Sequence, residues 1–344
     1  MSTKTAIVTT YRGAADILDS FLSYHLALGF DHIFLFSDDP EDPGTEIARR
    51  HPAVTVVPTD DDLRARWRRT PLYRSRRRWI EKYLYREVMA RQMLNVEVAV
   101  GMAVERGVDW LLHIDVDELF YSPAATVAEH FREMTEKGFA AVRYMNLEAA
   151  PEKADVVDCF REVTLFKVPS HFHPGRTFSQ EQRKVMQSIP NCPARLFNYY
   201  EIGKSAARVT PGLRPDGVHD FFPEVEHPRL YHVQRWLGER NPFRWLRRRG
   251  LAPRLRKLLL REGAAPIAVR ATPAILHYPC CTFDVFWQKY RARGRFADRW
   301  FGKYDIRAVL GSTHLDSRDV VQQGDPELAR KFFRERFVLR KEDA

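Results

Sequence analysis

Strand-like and helix-like segments alternate through the first 150 residues of this 344-residue chain. Short runs rich in β-branched, aliphatic and aromatic residues predict strands, and they lie at 5–10, 32–36, 54–57, 110–114 and 140–146. Apolar residues at helical spacing predict helices between them, at 15–28, 46–50, 87–106 and 127–137. Because strands joined by helices usually pair in parallel, this alternation predicts a mainly parallel α/β sheet with helices on both faces.

The second half of the chain is less regular. Beyond residue 150 proline and glycine become frequent, and the strand-like runs become short. We interpret residues 151–310 as a continuation of the domain formed by residues 1–150, and residues 311–344 as a helical tail. No apolar run is long enough to span a bilayer, and no N-terminal targeting segment is visible. The expected location is therefore the cytoplasm, either free or peripheral to a membrane.

The charge of the chain favours acidic partners. Lysine and arginine outnumber aspartate and glutamate by 55 to 45, which gives a formal net charge of +10. Eight arginines fall within residues 64–78 and seven within residues 244–261. These stretches are interpreted either as solvated helix faces or as a surface for anionic lipid, nucleic acid or a polyanionic acceptor. No helix-turn-helix, zinc-finger or RNA-recognition signature accompanies them, so a specific nucleic-acid partner is not expected.

A cluster of acids follows the fourth predicted strand. Asp115, Asp117 and Glu118 come directly after the run at 110–114. In a parallel sheet the C-terminal ends of the strands face the ligand crevice. Carboxylates at positions i and i+2 repel one another and need a compensating charge, for which a hard divalent cation is well suited. The motif therefore predicts an Mg²⁺ or Mn²⁺ site that also binds substrate phosphates.

Several blocks of the sequence, taken in order, resemble a known enzyme family. They are 10–12, 24–32, 36–39, Asn95, the acids at 115–118, 203–208, 217–220, 276–278 and Lys289. Together they resemble nucleotide-sugar-dependent glycosyltransferases of the GT-A fold, in particular glycosyltransferase family 92 and related bacterial family-2-like enzymes. The resemblance implies a GT-A sheet in which residues 1–150 bind the nucleotide sugar. Residues 151–310 then complete the metal and acceptor sites.

The resemblance also implies roles for individual residues. Asp117 is expected to bind the metal, with Asp115 sharing the ion or contacting the donor ribose, and His219 is the candidate third ligand. An aspartate and histidine ligand set suits Mn²⁺ better than Mg²⁺. The residues expected to contact the nucleotide sugar are Thr10, Arg12, Asp38, Asp39, Asp115, Lys204, Arg208 and Lys289. The two lysines and Arg208 are positioned to neutralise the diphosphate.

The chemistry of sugar transfer adds a general base to this set. An inverting enzyme needs a carboxylate that accepts the proton of the acceptor hydroxyl, and Asp220 and Glu181 are both candidates. The leading interpretation is thus a metal-dependent inverting glycosyltransferase that moves a hexose, such as galactose, from a UDP-sugar to a glycan or glycoconjugate. One alternative is a metal-dependent phosphohydrolase or nucleotidyltransferase, which would use the same acids. Another is a protein that binds nucleic acid or an anionic membrane through the arginine-rich stretches.

Overall fold

The structure is a computed structural model that describes residues 2–167, 198–199, 203–224, 267–306 and 313–339, with backbone alone at 267–272. Its strands are β1 Thr5–Tyr11, β2 His32–Ser37, β3 Val54–Pro58, β4 Trp110–His113, β5 Glu118–Tyr121, β6 Ala141–Ala149, β7 Phe166–Lys167, β8 Lys204–Arg208, β9 Arg214–Asp216, β10 Asp220–Phe222, β11 Ile267–His277, β12 Arg299–Trp300 and β13 Tyr304–Asp305. Its helices are α1 Ala15–Leu28, α2 Gly44–Arg49, α3 Asp61–Arg69, α4 Pro71–Ser75, α5 Arg77–Tyr83, α6 Val88–Glu105, α7 Val127–Glu136, α8 Cys159–Glu162, α9 Phe283–Arg293, α10 Thr313–Val321 and α11 Pro326–Phe337.

One mixed sheet organises the fold. Among the described residues it has nine strands in the order β3-β2-β1-β4-β8-β6-β11-β5, with β7 paired to β6. The strands β1 to β4, β6 and β11 run in one direction, whereas β5, β7 and β8 run in the other. The prediction of a mainly parallel α/β sheet is confirmed. Strands from before and after residue 150 share this sheet.

Both faces of the sheet are covered by helices, because alternate residues of its buried strands point to opposite sides. On one face Ile7 and Leu112 belong to an apolar cluster with residues of α1 and α7. On the other face Val8 and Leu111 belong to a second cluster with residues of α3 and α6. A third cluster joins α9, α10 and α11. The predicted helical tail is therefore packed against the rest of the chain through α9.

The topology brings polar strand ends from distant parts of the sequence to one edge. β1, β2 and β4 are parallel, so their C-terminal ends lie together. β8 is antiparallel to β4 and therefore begins at that edge, with Lys204 two residues before the Ala206–Leu112 pair. β11 ends there, and its His277 pairs with Glu118 at the start of β5.

Most predicted strand ends differ from the structure by one residue. β4, for example, ends at His113 and not at Ile114. The largest difference is in β6, which continues to Ala149, three residues beyond the predicted end. The extension of β6 follows from its partners, because Glu148 is paired with Lys167 of β7 and with His277 of β11. Those partners are distant in sequence, so a local pattern does not reveal them.

A glycine sets the approach of β8 to β6. Gly203 has a φ of +71°, and its N–H donates a hydrogen bond of 3.0 Å to Oδ1 of Asn146. A Cβ atom placed on Gly203 would lie 1.8 Å from the carbonyl oxygen of Tyr144. That backbone atom belongs to a central strand and cannot move aside. Glycine is therefore required here for space as well as for conformation.

We expect Gly203→Ala to lower the free energy of unfolding by clearly more than the about 1–2 kcal/mol that a left-handed conformation costs a residue with a Cβ. Gly217→Ala is the matched control, since Gly217 has a φ of +70° but open space around its Cβ position. Urea unfolding of both variants measures the difference. Equal losses would contradict the role assigned to the Tyr144 carbonyl.

Candidate active site

A buried ion pair joins the acidic motif to β8. The Nζ atom of Lys204 lies 2.7 Å from Oδ2 of Asp115 and 3.7 Å from Oε2 of Glu118. Gln92 of α6 donates a hydrogen bond of 2.9 Å to the other carboxylate oxygen of Asp115. Burial alone would lower the pKa of Lys204, but Asp115 and Glu118 outweigh burial and raise it. Lys204 is therefore a fixed ammonium ion between two carboxylates at pH 7.

A second ion pair lies beside the first. The Nζ atom of Lys289, on α9, lies 2.8 Å from Oδ2 of Asp117 and donates a 2.9 Å hydrogen bond to the carbonyl of Pro279. It also lies over the ring of Tyr199, 5.6 Å from the centroid. Burial would raise the pKa of Asp117, yet Lys289 and His277 outweigh burial and lower it. The two aspartates of the motif are thus each held by a different lysine.

Three histidines surround these pairs, of which His113 and His277 are buried and His219 is half-buried. Burial, reinforced by the charge of Lys204, lowers the pKa of His219 to about 3 and that of His113 to about 3. Burial also lowers the pKa of His277 to about 4. All three rings are therefore neutral at pH 7, which is the form that binds a metal ion. Nδ1 of His219 donates to the carbonyl of Gly203 at 2.9 Å, so the lone pair of that ring is on Nε2.

The end of β1 is connected to α6 and α3 by hydrogen bonds. Asn95 donates from its amide to Oγ1 of Thr10 at 3.0 Å and accepts from Nε1 of Trp67 at 2.8 Å. Asn95 is fully buried, and this network holds Thr10 beside the edge at which the acidic motif lies. Arg12, two residues further on, is exposed to solvent.

The two acids after β2 have different surroundings. Asp38 makes a bidentate ion pair with Arg91 of α6, with distances of 2.5 and 2.8 Å, and its side chain is 2% exposed. Its carboxylate is therefore already paired with a cation. Asp39 accepts a hydrogen bond of 3.1 Å from the N–H of Glu41 and closes the turn that follows the strand.

The candidate bases and the remaining diphosphate contact lie away from the paired aspartates or outside the described residues. Asp220 is 5% exposed and forms an ion pair with Arg143 of β6, and Ser205 donates a hydrogen bond of 2.5 Å to it. This carboxylate is therefore paired with a cation and largely shielded from solvent, and its role as general base stays a prediction. Glu181 lies outside the described residues. Arg208 pairs with Trp110 at the far end of β4 from Asp115, so the structure does not bring it beside the paired aspartates, and its contact with a diphosphate stays a prediction.

The chemistry of the donor atoms fits a hard divalent cation. Asp115 and Asp117 supply carboxylate oxygens, and His219 supplies a neutral imidazole beside Asp115. Within the described part of the chain no three His, Cys, Asp or Glu side chains are close enough together to hold a metal ion alone. Mg²⁺ and similar ions are often bound by one or two carboxylates together with substrate phosphates. Such a site would therefore form together with a nucleotide diphosphate.

Sequence reasoning missed several partners of the predicted residues. Gln92 lies three positions before Asn95 on the same face of α6, and that spacing is the one local signal for it. Glu118 was visible in the motif but received no role, although it accepts from the backbone N–H of Asp115 at 2.7 Å. Arg91 and Arg143 have no such signal, because their partners lie 53 and 77 residues away.

Comparisons with known proteins add to this geometry. Among curated proteins, one from Arabidopsis thaliana is 28% identical over 219 residues, which is 61% of this chain and 47% of that protein. A second Arabidopsis protein is 26% identical over 208 residues, which is 58% of this chain and 39% of that protein. Both are named glycosyltransferase-like. This chain is similar to plant glycosyltransferase-like proteins. It spans less than half the length of these relatives, and no protein-family model matches it.

The similarities to solved structures are weaker. Mannosyl-3-phosphoglycerate synthase from Rubrobacter xylanophilus has a TM-score of 0.33 and 12% identity, over 92% of this chain and 76% of that one. Core-mannan synthase A from Aspergillus fumigatus, in an Mn/GDP form, has a TM-score of 0.27 and 11% identity, over 44% of each chain. Scores this low carry no weight for the function of this chain. Among the described helices of this chain, none has the length and apolar character needed to cross a membrane.

We expect Lys204→Met to cost about 3 kcal/mol or more of folding stability at pH 7, because it leaves Asp115 and Glu118 without their cation. The pKa of Asp115 is lowered in the folded wild type, so its stabilisation is present above 3.8 and is lost as the pH falls below that value. Without Lys204 this pH dependence of the free energy of unfolding disappears. The difference in stability between the wild type and the variant therefore becomes smaller in acid. Urea unfolding at pH 7 and pH 3.5 measures both effects.

The control for that variant is Lys137→Met, which removes an ammonium from a solvent-exposed pair with Glu133. It should change stability by at most about 1 kcal/mol at either pH. A Lys204→Met protein that is as stable as this control would show that the ion pair with Asp115 does not hold the strand edge together.

Proposed function

We propose that this chain is a metal-dependent inverting glycosyltransferase of the GT-A type that transfers a hexose, such as galactose, from a UDP-sugar to a hydroxyl of a glycan or glycoconjugate. The observation that carries the proposal is the paired arrangement of two carboxylates and two ammonium ions at the C-terminal edge of the sheet. The resemblance of the motifs and the similarity to glycosyltransferase-like proteins support it.

The two carboxylates and two ammonium ions are complementary in charge to a metal ion and a diphosphate. Transfer of a sugar requires stabilisation of the negative charge that develops on the departing diphosphate. A divalent cation held by Asp115 and Asp117, with His219 as the candidate third ligand, would supply Lewis-acid stabilisation of that charge. Lys204 and Lys289 already lie within hydrogen-bonding distance of the two carboxylates. They would therefore stand beside the phosphates and hold them by charge-assisted hydrogen bonds.

The ends of β1 and β2 supply the proposed site for the nucleoside. Thr10 is fixed by Asn95, and Arg12 lies exposed just beyond it. Asp39 remains the acid proposed to contact the uracil or ribose. Asp38 is proposed to act through Arg91, since the guanidinium fixes its carboxylate against α6.

Inversion requires a carboxylate on the acceptor side of the sugar. Asp220 is buried against Arg143, which favours a role in holding β8 and β6 together behind Lys204. Of the two residues that the sequence indicated, Glu181 is therefore the proposed base. The proposal thus assigns the leaving-group side to Asp115, Asp117, Lys204 and Lys289, and leaves the acceptor side to residues after β7.

Calorimetric titration of UDP into the protein, with Mn²⁺ or with EDTA, tests the donor site. We expect saturable binding in Mn²⁺ that is lost in EDTA. We also expect Asp117→Asn to weaken it by at least about tenfold, because this carboxylate would bind the ion. Asp319→Asn is the matched control, since it removes an exposed carboxylate from a surface pair with Arg318. Binding that is indifferent to Asp117 would contradict the assignment.

The products formed from nucleotide sugars separate the proposed reaction from its alternative. UDP-galactose and other UDP-sugars are supplied with a mixture of glycan acceptors, and GDP-mannose is supplied in parallel. A transferase releases the nucleoside diphosphate in step with sugar transfer. A phosphohydrolase or nucleotidyltransferase that cleaves the phosphoanhydride of the nucleotide sugar releases sugar 1-phosphate instead. Release of sugar 1-phosphate in an Asp117-dependent reaction would replace the proposed function by that alternative.

A further inference from the structure

A cationic pocket lies outside the candidate active site. It has a volume of about 700 Å³ and is formed by the first arginine-rich stretch, on α3, α4 and α5. The side chains that determine its chemistry are Arg64, Trp67, Arg68, Tyr73, Arg74 and Arg77. Arginine provides a planar fork of donors that fits phosphate oxygens, and aromatic rings offer faces for sugar rings. A pocket of this size holds a small organic ligand.

Part of the pocket wall is pre-organised by a shared carboxylate. Oε1 of Glu81 accepts a hydrogen bond of 2.8 Å from the hydroxyl of Tyr73 and one of 2.9 Å from Nε of Arg77. These contacts fix an aromatic ring and a guanidinium relative to each other. Arg74 is exposed and, within the described ranges, has no carboxylate within 4.0 Å. The pocket therefore combines a fixed wall with guanidinium charge that the described residues do not fully neutralise.

The pocket is joined to the ends of β1 and β2 by two short connections. Trp67, which lines it, donates to Asn95, and Asn95 donates to Thr10. The carbonyl of Leu84, which also lines it, accepts a hydrogen bond of 2.7 Å from Arg91. The same Arg91 is paired with Asp38. The pocket thus lies one layer of side chains away from the proposed nucleoside site.

We propose that this pocket is a second ligand site, which binds a phosphorylated sugar next to the candidate active site. The inference goes beyond the proposed function, which concerns only the donor and acceptor of the transfer. Four arginines favour an anion with several oxygens, although Arg64 and Arg77 are also paired with Asp61 and Glu81. The exposed ring of Tyr85 favours a sugar ring next to that anion. The net positive charge also distinguishes this pocket from the donor edge, by which we mean the sheet edge proposed to bind the nucleotide sugar. At the donor edge the charges of two aspartates are balanced by those of two lysines.

Calorimetric titration with glucose 6-phosphate, and with glucose as the uncharged match, tests the pocket. We expect saturable binding of the phosphate ester and no binding of glucose. The double variant Arg68→Ala/Arg74→Ala should weaken binding by about tenfold or more. Arg68→Lys/Arg74→Lys should weaken it nearly as much, because lysine keeps the charge but loses the bidentate fork. Arg132→Ala/Arg161→Ala, which removes two exposed arginines from α7 and α8, is the control that should leave binding unchanged.

Other outcomes would overturn the proposal. If the lysine variant bound glucose 6-phosphate as tightly as the wild type, the positive charge alone would account for binding and the pocket would not recognise the phosphate specifically. Loss of glucose 6-phosphate binding in Asp117→Asn would place the phosphate at the donor edge. No saturable binding, or arginine-dependent binding to phosphatidylserine vesicles in its place, would make the stretch a membrane surface. UDP binding in Mn²⁺, measured on the same arginine variants, should stay intact. A failure of this inference can therefore be distinguished from a failure of the proposed function.

Discussion

Charge compensation of a cluster of buried and half-buried acids is the constraint on which the rest of the structure depends. Three carboxylates within four residues, at Asp115, Asp117 and Glu118, lie at one edge of the sheet. Burying such a group without a counter-charge costs several kcal/mol. The compensating ammonium ions come from Lys204 on β8 and Lys289 on α9, 89 and 172 residues along the chain from their aspartates. The motif therefore fixes where β8 enters the sheet and where α9 packs.

The local part of the fold could be predicted from the sequence. The runs that became β1 to β4 are rich in β-branched, aliphatic and aromatic residues, and helical spacing identified α1, α6 and α7. The insertion of β8 between β4 and β6 could not be predicted, because Lys204–Arg208 is short and is buried through its partners. The same holds for β11, whose pairing with β6 and β5 joins residues more than a hundred positions apart. Strand order depends on those contacts and not on local patterns.

The candidate site was predictable by residue type but not by pairing. The sequence indicated Asp115, Asp117, Lys204 and Lys289, and spacing alone gave no means of deciding which lysine reaches which carboxylate. Asp220 shows the limit most clearly. Its position beside His219 made it a candidate base, but its burial is decided by Arg143, which lies 77 residues earlier on β6. The sequence identifies a carboxylate, but only the fold shows which charged groups lie next to it.

The balance of charge at the sheet edge also constrains how a ligand could enter. Two carboxylates and two ammonium ions neutralise one another in the described structure. A cation that took Asp115 and Asp117 alone would leave Lys289 without a carboxylate partner and would leave the fully buried Lys204 with Glu118 alone, at 3.7 Å. A diphosphate that took the lysines alone would leave the carboxylates uncompensated in the same way. Only a ligand that carries both a cation and an anion gives new partners to the two aspartates and the two lysines at the same time. The two ion pairs therefore favour a metal ion and a diphosphate that bind together over either one alone.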